Sequence, residues 1–320
     1  MTDGSEAFHY RVYGLNIASN IFLPELETSA EIPDVRVFFG DTPHEIREAR
    51  VKRDHCHVAP NRFLFHVAHV GSYYVADGME IIVKASRSAE PEMVRLCLLG
   101  TAFGALLLQR RILPIHGSAV VIDGQAVIIT DNSGAGKSTL LAALLNRGAR
   151  FLADDVAAVT MDETNAPWVQ PGYPQQKLWK DSMETIGIHV DGQPSILPGR
   201  GKYAIATREK FCPMPVRLAA VCELRAEDRP EVTMTQLAGP ETIATLLRHT
   251  YRQSLVAGLG LKADHFKRCA AVAKEIDVCR LTRPRGTFSL MEQAQLLENL
   301  ATELVSGRIG QGGHILARRC

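Results

Sequence analysis

The stretch Val127-Ile-Ile-Thr-Asp-Asn-Ser-Gly-Ala-Gly-Lys-Ser-Thr-Leu-Leu141 limits what this chain can fold into more than any other. A run of β-branched residues predicts a strand, and Ser133, Gly134, Ala135 and Gly136 predict a tight loop. Lys137, Ser138 and Thr139 then open a helix whose apolar stripe is Leu140, Leu141, Leu144 and Leu145, ending near Gly148. Upstream, Ser118 to Ile122 and Ala126 to Thr130 flank an Asp123-Gly124 pair, the signature of a two-residue hairpin. Downstream, Phe151 to Val159 predicts the next strand. Strand, loop, helix and strand in that order predict an α/β domain.

In that context the amides of Ser133, Gly134, Ala135, Gly136, Lys137, Ser138 and Thr139 converge where phosphate oxygens bind, and the helix N-terminus adds partial positive charge. The Lys137 ammonium suits the β- and γ-phosphates of ATP, and the Ser138 hydroxyl suits Mg²⁺. The bland alternative is a glycine-rich turn that only caps a helix. Asp131 stands where such loops begin with glycine. Two like charges about 6 Å apart at an effective dielectric near 20 repel by roughly 3 kcal/mol. Hairpin register offers a resolution, because residues whose numbers sum to 247 face each other, which sets His116 opposite Asp131. The expectation is that Asp131 turns toward His116, which then borders the γ-phosphate. A local hydrogen bond of a strand-start histidine is the alternative.

Ala153-Asp-Asp-Val156 follows the helix. Successive strand side chains point to opposite faces, so Asp154 and Asp155 take different roles unless the strand breaks there. One carboxylate suits proton removal from an acceptor hydroxyl and the other a metal; a solvated strand end is the plain reading.

The rest of the chain sets bounds. Its 320 residues include 46% hydrophobic and 22% charged side chains, and the net charge of +1 leaves no basic stripe for nucleic acid or an anionic membrane. The cysteines form no Cys-x-x-Cys pair, and the N-terminus has no basic start followed by an apolar run, so the expected location is the cytoplasm. The apolar stretch from Leu96 to Leu108 is read as a buried helix too short to cross a bilayer. Short strands around Arg36 to Phe39, Phe63 to Val67, Tyr73 to Val75 and Ile81 to Val83 predict a β-rich region over 1–92, before a second domain over 93–320. Helices are predicted for Pro240 to Tyr251, Lys262 to Ile276 and Leu290 to Val305. Pro167 to Arg200, rich in Gly and Pro, is read as irregular and mobile. The arginines of Arg280-Leu-Thr-Arg-Pro-Arg285 are read as solvated, with an acidic peptide as the other reading. His55-Cys-His57 is read as ordinary strand.

His116-Gly117, Ser133 to Ser138, Arg147-Gly148 and Ala153-Asp-Asp155, in that order and spacing, resemble the catalytic domain of HPr kinase/phosphorylase. The chain is more similar overall to the HPr kinase-like enzymes that phosphorylate lasso-peptide precursors, with looser matches at Leu23 to Leu26, Ile112 to Ile115, Gln170 to Pro174 and Lys177 to Trp179. The specific part spans roughly residues 111 to 160. The resemblance implies a P-loop kinase domain of the HPr kinase type that uses ATP and Mg²⁺ to phosphorylate a serine of a ribosomally made peptide, taken to be C-terminal. It also implies Asp154 as general base, Asp155 with Ser138 at the metal, Lys137 on phosphate, His116 beside the transferred group, and a homo-oligomer among the possible states. Two departures stand out: Asp131 in place of glycine, and no Arg-Gly-Leu-Gly signature after the acids. The roles of Gln175, Lys177 and Lys202 are left open. A regulatory kinase acting on HPr and a non-catalytic nucleotide switch are the alternatives.

Overall fold

The computed structural model describes residues 7–131, 136–197 and 201–306. Its contacts divide the chain into two units, one of residues 1–114 with 251–267 and one of residues 115–250 with 268–320. The division expected from composition at 92/93 is displaced, because the apolar helical run that follows the β-rich region packs within that region's own unit.

The first unit is built on one nine-stranded sheet. In chain order its strands are β1 (Phe8–Val12), β2 (Leu15–Ser19), β3 (Glu27–Thr28), β4 (Val35–Phe39), β5 (Val51–Arg53), β6 (Cys56–Ala59), β7 (Arg62–Val67), β8 (Gly71–Ala76) and β9 (Glu80–Ala85). They lie in the order β3-β1-β2-β4-β9-β8-β7-β6-β5. Alternation buries Tyr73 and Val75 of β8 and Ile81 and Val83 of β9, as a half-covered sheet requires. The His57 ring accepts the N–H of Ile46 at 3.1 Å. Two helices follow, α1 (Pro91–Cys97) and α2 (Phe103–Gln109), joined by a π-helical turn over Leu98–Ala102. This run is longer than its apolar stretch suggested: its 19 residues are long and apolar enough to cross a membrane. Here it packs on protein, with every residue of α2 buried and the Tyr73 hydroxyl donating to the Val94 carbonyl at 3.1 Å.

The second unit takes in β10 (Leu113–Ile122) from Ile115 onward and β11 (Gln125–Asp131), turning at Asp123 (φ 50°) and Gly124 (φ 77°) as a primed two-residue turn demands. Ser118 pairs with Ile129 and Ile122 with Gln125, the predicted register. Next come α3 (Lys137–Asn146), β12 (Arg150–Ala153), β13 (Val156–Met161) and β14 (Pro167–Gln170). Then follow β15 (Gln175–Trp179), α4 (Lys180–Thr185), β16 (Ser195–Leu197), β17 (Lys202–Ala206), β18 (Val216–Glu227) and β19 (Thr233–Gln236). The chain continues through α5 (Pro240–Arg248), α6 (Leu255–Gly258) and α7 (Lys262–Glu275) to β20 (Asp277–Pro284) and α8 (Leu290–Val305). Of these, α6 and the start of α7 fall within the residues of the first unit. The main sheet mixes both pairings: β11 runs parallel to β18, and β18 parallel to β20. Strands and helices together make an α/β fold.

Leu140, Leu141, Leu144 and Leu145 of α3 are buried in one cluster with Val127 and Ile129 of β11 and Leu297, Leu300 and Ala301 of α8. The predicted leucine stripe therefore faces the sheet. Arg147 clamps the Glu298 carboxylate through two bonds of 2.7 and 2.6 Å, tying the end of α3 to α8. Within the segment read as irregular, the described residues 167–197 hold strands and a short helix instead. Gln175–Trp179 pairs antiparallel with Lys202–Ala206, and Ser195–Leu197 adds a third strand to this small sheet. Gly and Pro mark its turns rather than its whole length.

Gly117, beside His116, has no room for a side chain: a Cβ there would lie 2.7 Å from the Ile129 carbonyl oxygen and 2.9 Å from a methyl of Ile128. Gly117→Ala should force the hairpin apart and cost about 1–3 kcal/mol. Thermal unfolding of the purified variant checks this; an unchanged midpoint would show that the hairpin yields freely.

Candidate functional site

The site is assembled at the carboxyl end of β11, where the chain turns into α3. Gly136 sits in the left-handed region at φ 103°, which glycine adopts without steric cost. As N-cap of α3 it starts a helix whose first N–H groups lack intrahelical partners, a natural anion cradle. Ser133, Gly134 and Ala135 lie outside the described residues. Lys137 is only 6% exposed, and its ammonium reaches back to the strands: Nζ donates to Ser118 Oγ at 3.3 Å and lies 3.8 Å from Asp154 Oδ1. Ser138 is half-buried, with its carbonyl held by Gln176 Nε2 at 2.7 Å. Thr139 turns its hydroxyl to Ser182 Oγ at 3.0 Å.

The two aspartates escape the alternation rule because the strand does break between them. β12 ends at Ala153 and β13 starts at Val156. Between them Asp155 stands at φ 65°, and the Val156 N–H returns to the Asp154 carbonyl at 2.9 Å, closing a three-residue turn. A non-glycine residue there is strained, and strain of this kind gathers at working sites. The turn brings both carboxylates to lysines. Asp154 Oδ1 accepts from Ser118 Oγ at 2.7 Å and Oδ2 from the Lys177 N–H at 2.9 Å, while Asp155 Oδ2 accepts from Lys177 Nζ at 2.7 Å.

Lys177 is 6% exposed. Burial alone would lower its pKa, yet the neighbouring Tyr173 and Asp155 hold the ammonium well above its ordinary value. Burial likewise pushes the Asp155 carboxyl up, but the charges of Lys177, Lys202 and Lys137 outweigh it, so the group is held far below the ordinary carboxylate range. Tyr173 is raised by burial. Lys202 lies with its ammonium 5.4 Å from the Trp179 ring centroid, on the strand paired with the one carrying Lys177. A concentration of positive charge around one ionised carboxylate is a site prepared for further anionic oxygen.

His116 differs in detail from the expectation. The hairpin ladder ends at Gly117 and Thr130, and the His116 N–H turns away to the His249 carbonyl at 2.7 Å. Its ring nitrogen Nδ1 lies 2.9 Å from the Asp155 carbonyl, which can only accept, so Nδ1 carries the proton. What holds the imidazole at Nδ1 is therefore the carbonyl of the strained turn. Asp131 itself is buried, 6% exposed, and pairs along its backbone with Leu224 of β18.

Ser118 was not singled out by the sequence argument, and Lys177 was named there with its role left open. Ser118 was findable: it lies two positions from His116 on one strand and so shares its face. The role of Lys177 was not, because its approach depends on how the small sheet docks. Arg280, read as solvated, is instead part of a buried network. Its Nε donates to Glu223 Oε2 at 2.8 Å, and Glu223 also accepts from Arg248 at 2.7 Å, Arg225 at 3.0 Å and His249 at 2.9 Å. Arg285 does meet solvent-side partners, the Ala226 carbonyl at 3.2 Å and Asp228 at 3.8 Å.

A divalent cation fits the donors present. Among the described residues no three His, Cys, Asp or Glu side chains gather as a ready-made cage. Mg²⁺ typically takes one or two carboxylates and leaves its other positions to phosphate and water. The ionised Asp155 and the hydroxyl of Ser138 are hard oxygen donors of that type.

Taken together, the described elements make an α/β unit with a lysine and two neighbouring aspartates near the start of the helix that follows β11. No family model matches the chain. Over 110 residues the chain is 34% identical to the HPr kinase/phosphorylase of Azoarcus sp. (strain BH72), which is 34% of this chain and 31% of that protein. The match thus spans about a third of the relative's length. In structure the chain is similar to the HPr(Ser) kinase/phosphatase from Coxiella burnetii at 14% identity and a TM-score of 0.32, covering 62% of this chain and 99% of that one.

Proposed function

We propose that this chain is an ATP-dependent kinase that transfers the γ-phosphoryl group to a serine hydroxyl of a ribosomally made peptide, a lasso-peptide precursor by its sequence resemblance. The observation that carries the reading is the meeting of Lys137, Ser118, Asp154, Asp155 and Lys177 at the N-terminal end of α3. Helix amides, Lys137 and Lys177 offset phosphate charge, which is most of what phosphoryl transfer asks of a protein. Asp154, held by Ser118 and the Lys177 amide, aligns the acceptor hydroxyl and takes its proton. His116, with its Nδ1 proton on the Asp155 carbonyl, borders the transferred group. Ser138 and Asp155 hold Mg²⁺, which, when bound, neutralises charge on the phosphate oxygens.

A second reading, a regulatory kinase acting on HPr, is favoured by the 34% identity to an HPr kinase/phosphorylase. One experiment addresses both. The protein is incubated with ATP labelled at the γ-phosphate, Mg²⁺, and either serine-ending precursor peptides or HPr, and the products are analysed by mass spectrometry. Label on a peptide serine is the expected result. Label on HPr alone selects the second reading, and transfer to neither, from protein shown to be folded, sinks both.

A further inference from the structure

A cleft opens beside the start of α3, its lining including Gly136, Thr139, Asp181, Ser182, Arg283 and Phe288. All six lie in the second unit. Its position in the sheet is informative. β11 is flanked by β10 on one side and β18 on the other. The aspartates and Ser118 belong to the β10 side, since β12 pairs with β10. Arg283 is on β20, beyond β18, so it enters the cleft from the side away from β10, while Ser182 enters from α4, which follows the strand of Lys177. A polyphosphate with its terminal group toward Asp154 and its chain along the start of α3 would bring its other end to this cleft, which Gly136 and Thr139 line.

The lining suits that other end. A Cβ on Gly136 would lie 3.7 Å from Arg283 Nε, so the guanidinium borders the residue that starts α3. Phe288 is 68% exposed, a large ring left in solvent at the rim of a cleft. An exposed aromatic face is a stacking platform for a nucleobase.

We propose that this cleft takes the nucleoside of the donor, with the base stacked on Phe288 and the guanidinium of Arg283 beside the phosphate nearest the ribose. The inference rests on the kinase reading above and adds to it the residues that tell a nucleotide from inorganic polyphosphate. The test is calorimetry on the full chain with Mg-ATP and, separately, Mg-tripolyphosphate. Phe288→Ala should weaken ATP binding about tenfold, the order of a lost base stack, and leave tripolyphosphate affinity unchanged. Phe288→Tyr should bind ATP as the parent does. Unchanged ATP affinity in Phe288→Ala, a parallel loss of both ligands, or a tyrosine variant as weak as the alanine one would overturn the assignment. A folded parent protein that binds neither ligand would overturn the kinase reading and this inference with it. A parent that binds both equally would overturn this inference alone.

Discussion

Asp154→Asn is expected to lower phosphotransfer by about 10²–10⁴-fold while leaving ATP affinity within a few-fold, the loss associated with removal of a positioned general base. Asparagine keeps the size of the side chain but cannot keep its hydrogen bonds. Both carboxylate oxygens of Asp154 face donors, the Ser118 hydroxyl at 2.7 Å and the Lys177 amide at 2.9 Å. One of these must now meet an NH₂ group. The Ser118 hydroxyl can rotate to accept, but it already accepts from Lys137 at 3.3 Å, so the lysine's seat is disturbed as well. Steady-state rates and calorimetry on the same preparation separate the two effects. A variant that turns over at the parent rate would remove Asp154 from the chemistry.

The second large effect is on stability. Glu223 is fully buried and gathers Arg225, Arg248, Arg280 and His249 around one carboxylate. Burial raises its pKa, but the bonds from His249, Arg225 and Arg280 outweigh that and hold it far below the ordinary glutamate value. Glu223→Ala removes the buried counter-ion of Arg225, Arg248 and Arg280, of which Arg248 and Arg280 keep Glu241 at 3.3 and 2.9 Å. Breaking a buried pair costs about 3–5 kcal/mol, and the partial exposure of the arginines reduces this to about 2–3 kcal/mol. For a unit of this size the melting temperature should fall by roughly 4–12 °C. The pH dependence has a definite sign. A carboxylate with a depressed folded pKa contributes stability that is fully present above its unfolded pKa, near 4.5, and is lost as pH falls toward the folded value. The gap between parent and variant should stay constant from pH 7 to about 5.5 and narrow below about 4.5. Equal melting temperatures at pH 7 would show that the arginines find water at no cost.

The sequence was most informative where local chemistry decides the outcome. Asp123-Gly124 selects a primed turn, and that turn alone sets the register that brings Ser118 opposite Ile129. The leucines of α3 announce both the helix and the face it buries. Leu290–Val305 could be read to its ends because a long amphipathic run carries its own period. The Gly- and Pro-rich segment misled, since composition reports turns but not the strands between them. Gln175–Trp179 becomes a strand only because Lys202–Ala206 lies beside it.

By itself, then, the sequence determined the order strand, loop, lysine, helix and paired acids, because propensities, turn chemistry and hydrophobic period act over a few residues at a time. Only the tertiary structure decided what those residues meet. The left-handed turn at Asp155 lets two neighbouring aspartates serve one site, and the docking of the small sheet buries Lys177 against them. The β18 and β20 pairing collects arginines on Glu223. The last two join residues tens of positions apart, where the balance of burial and charge depends on three-dimensional packing that no local pattern encodes.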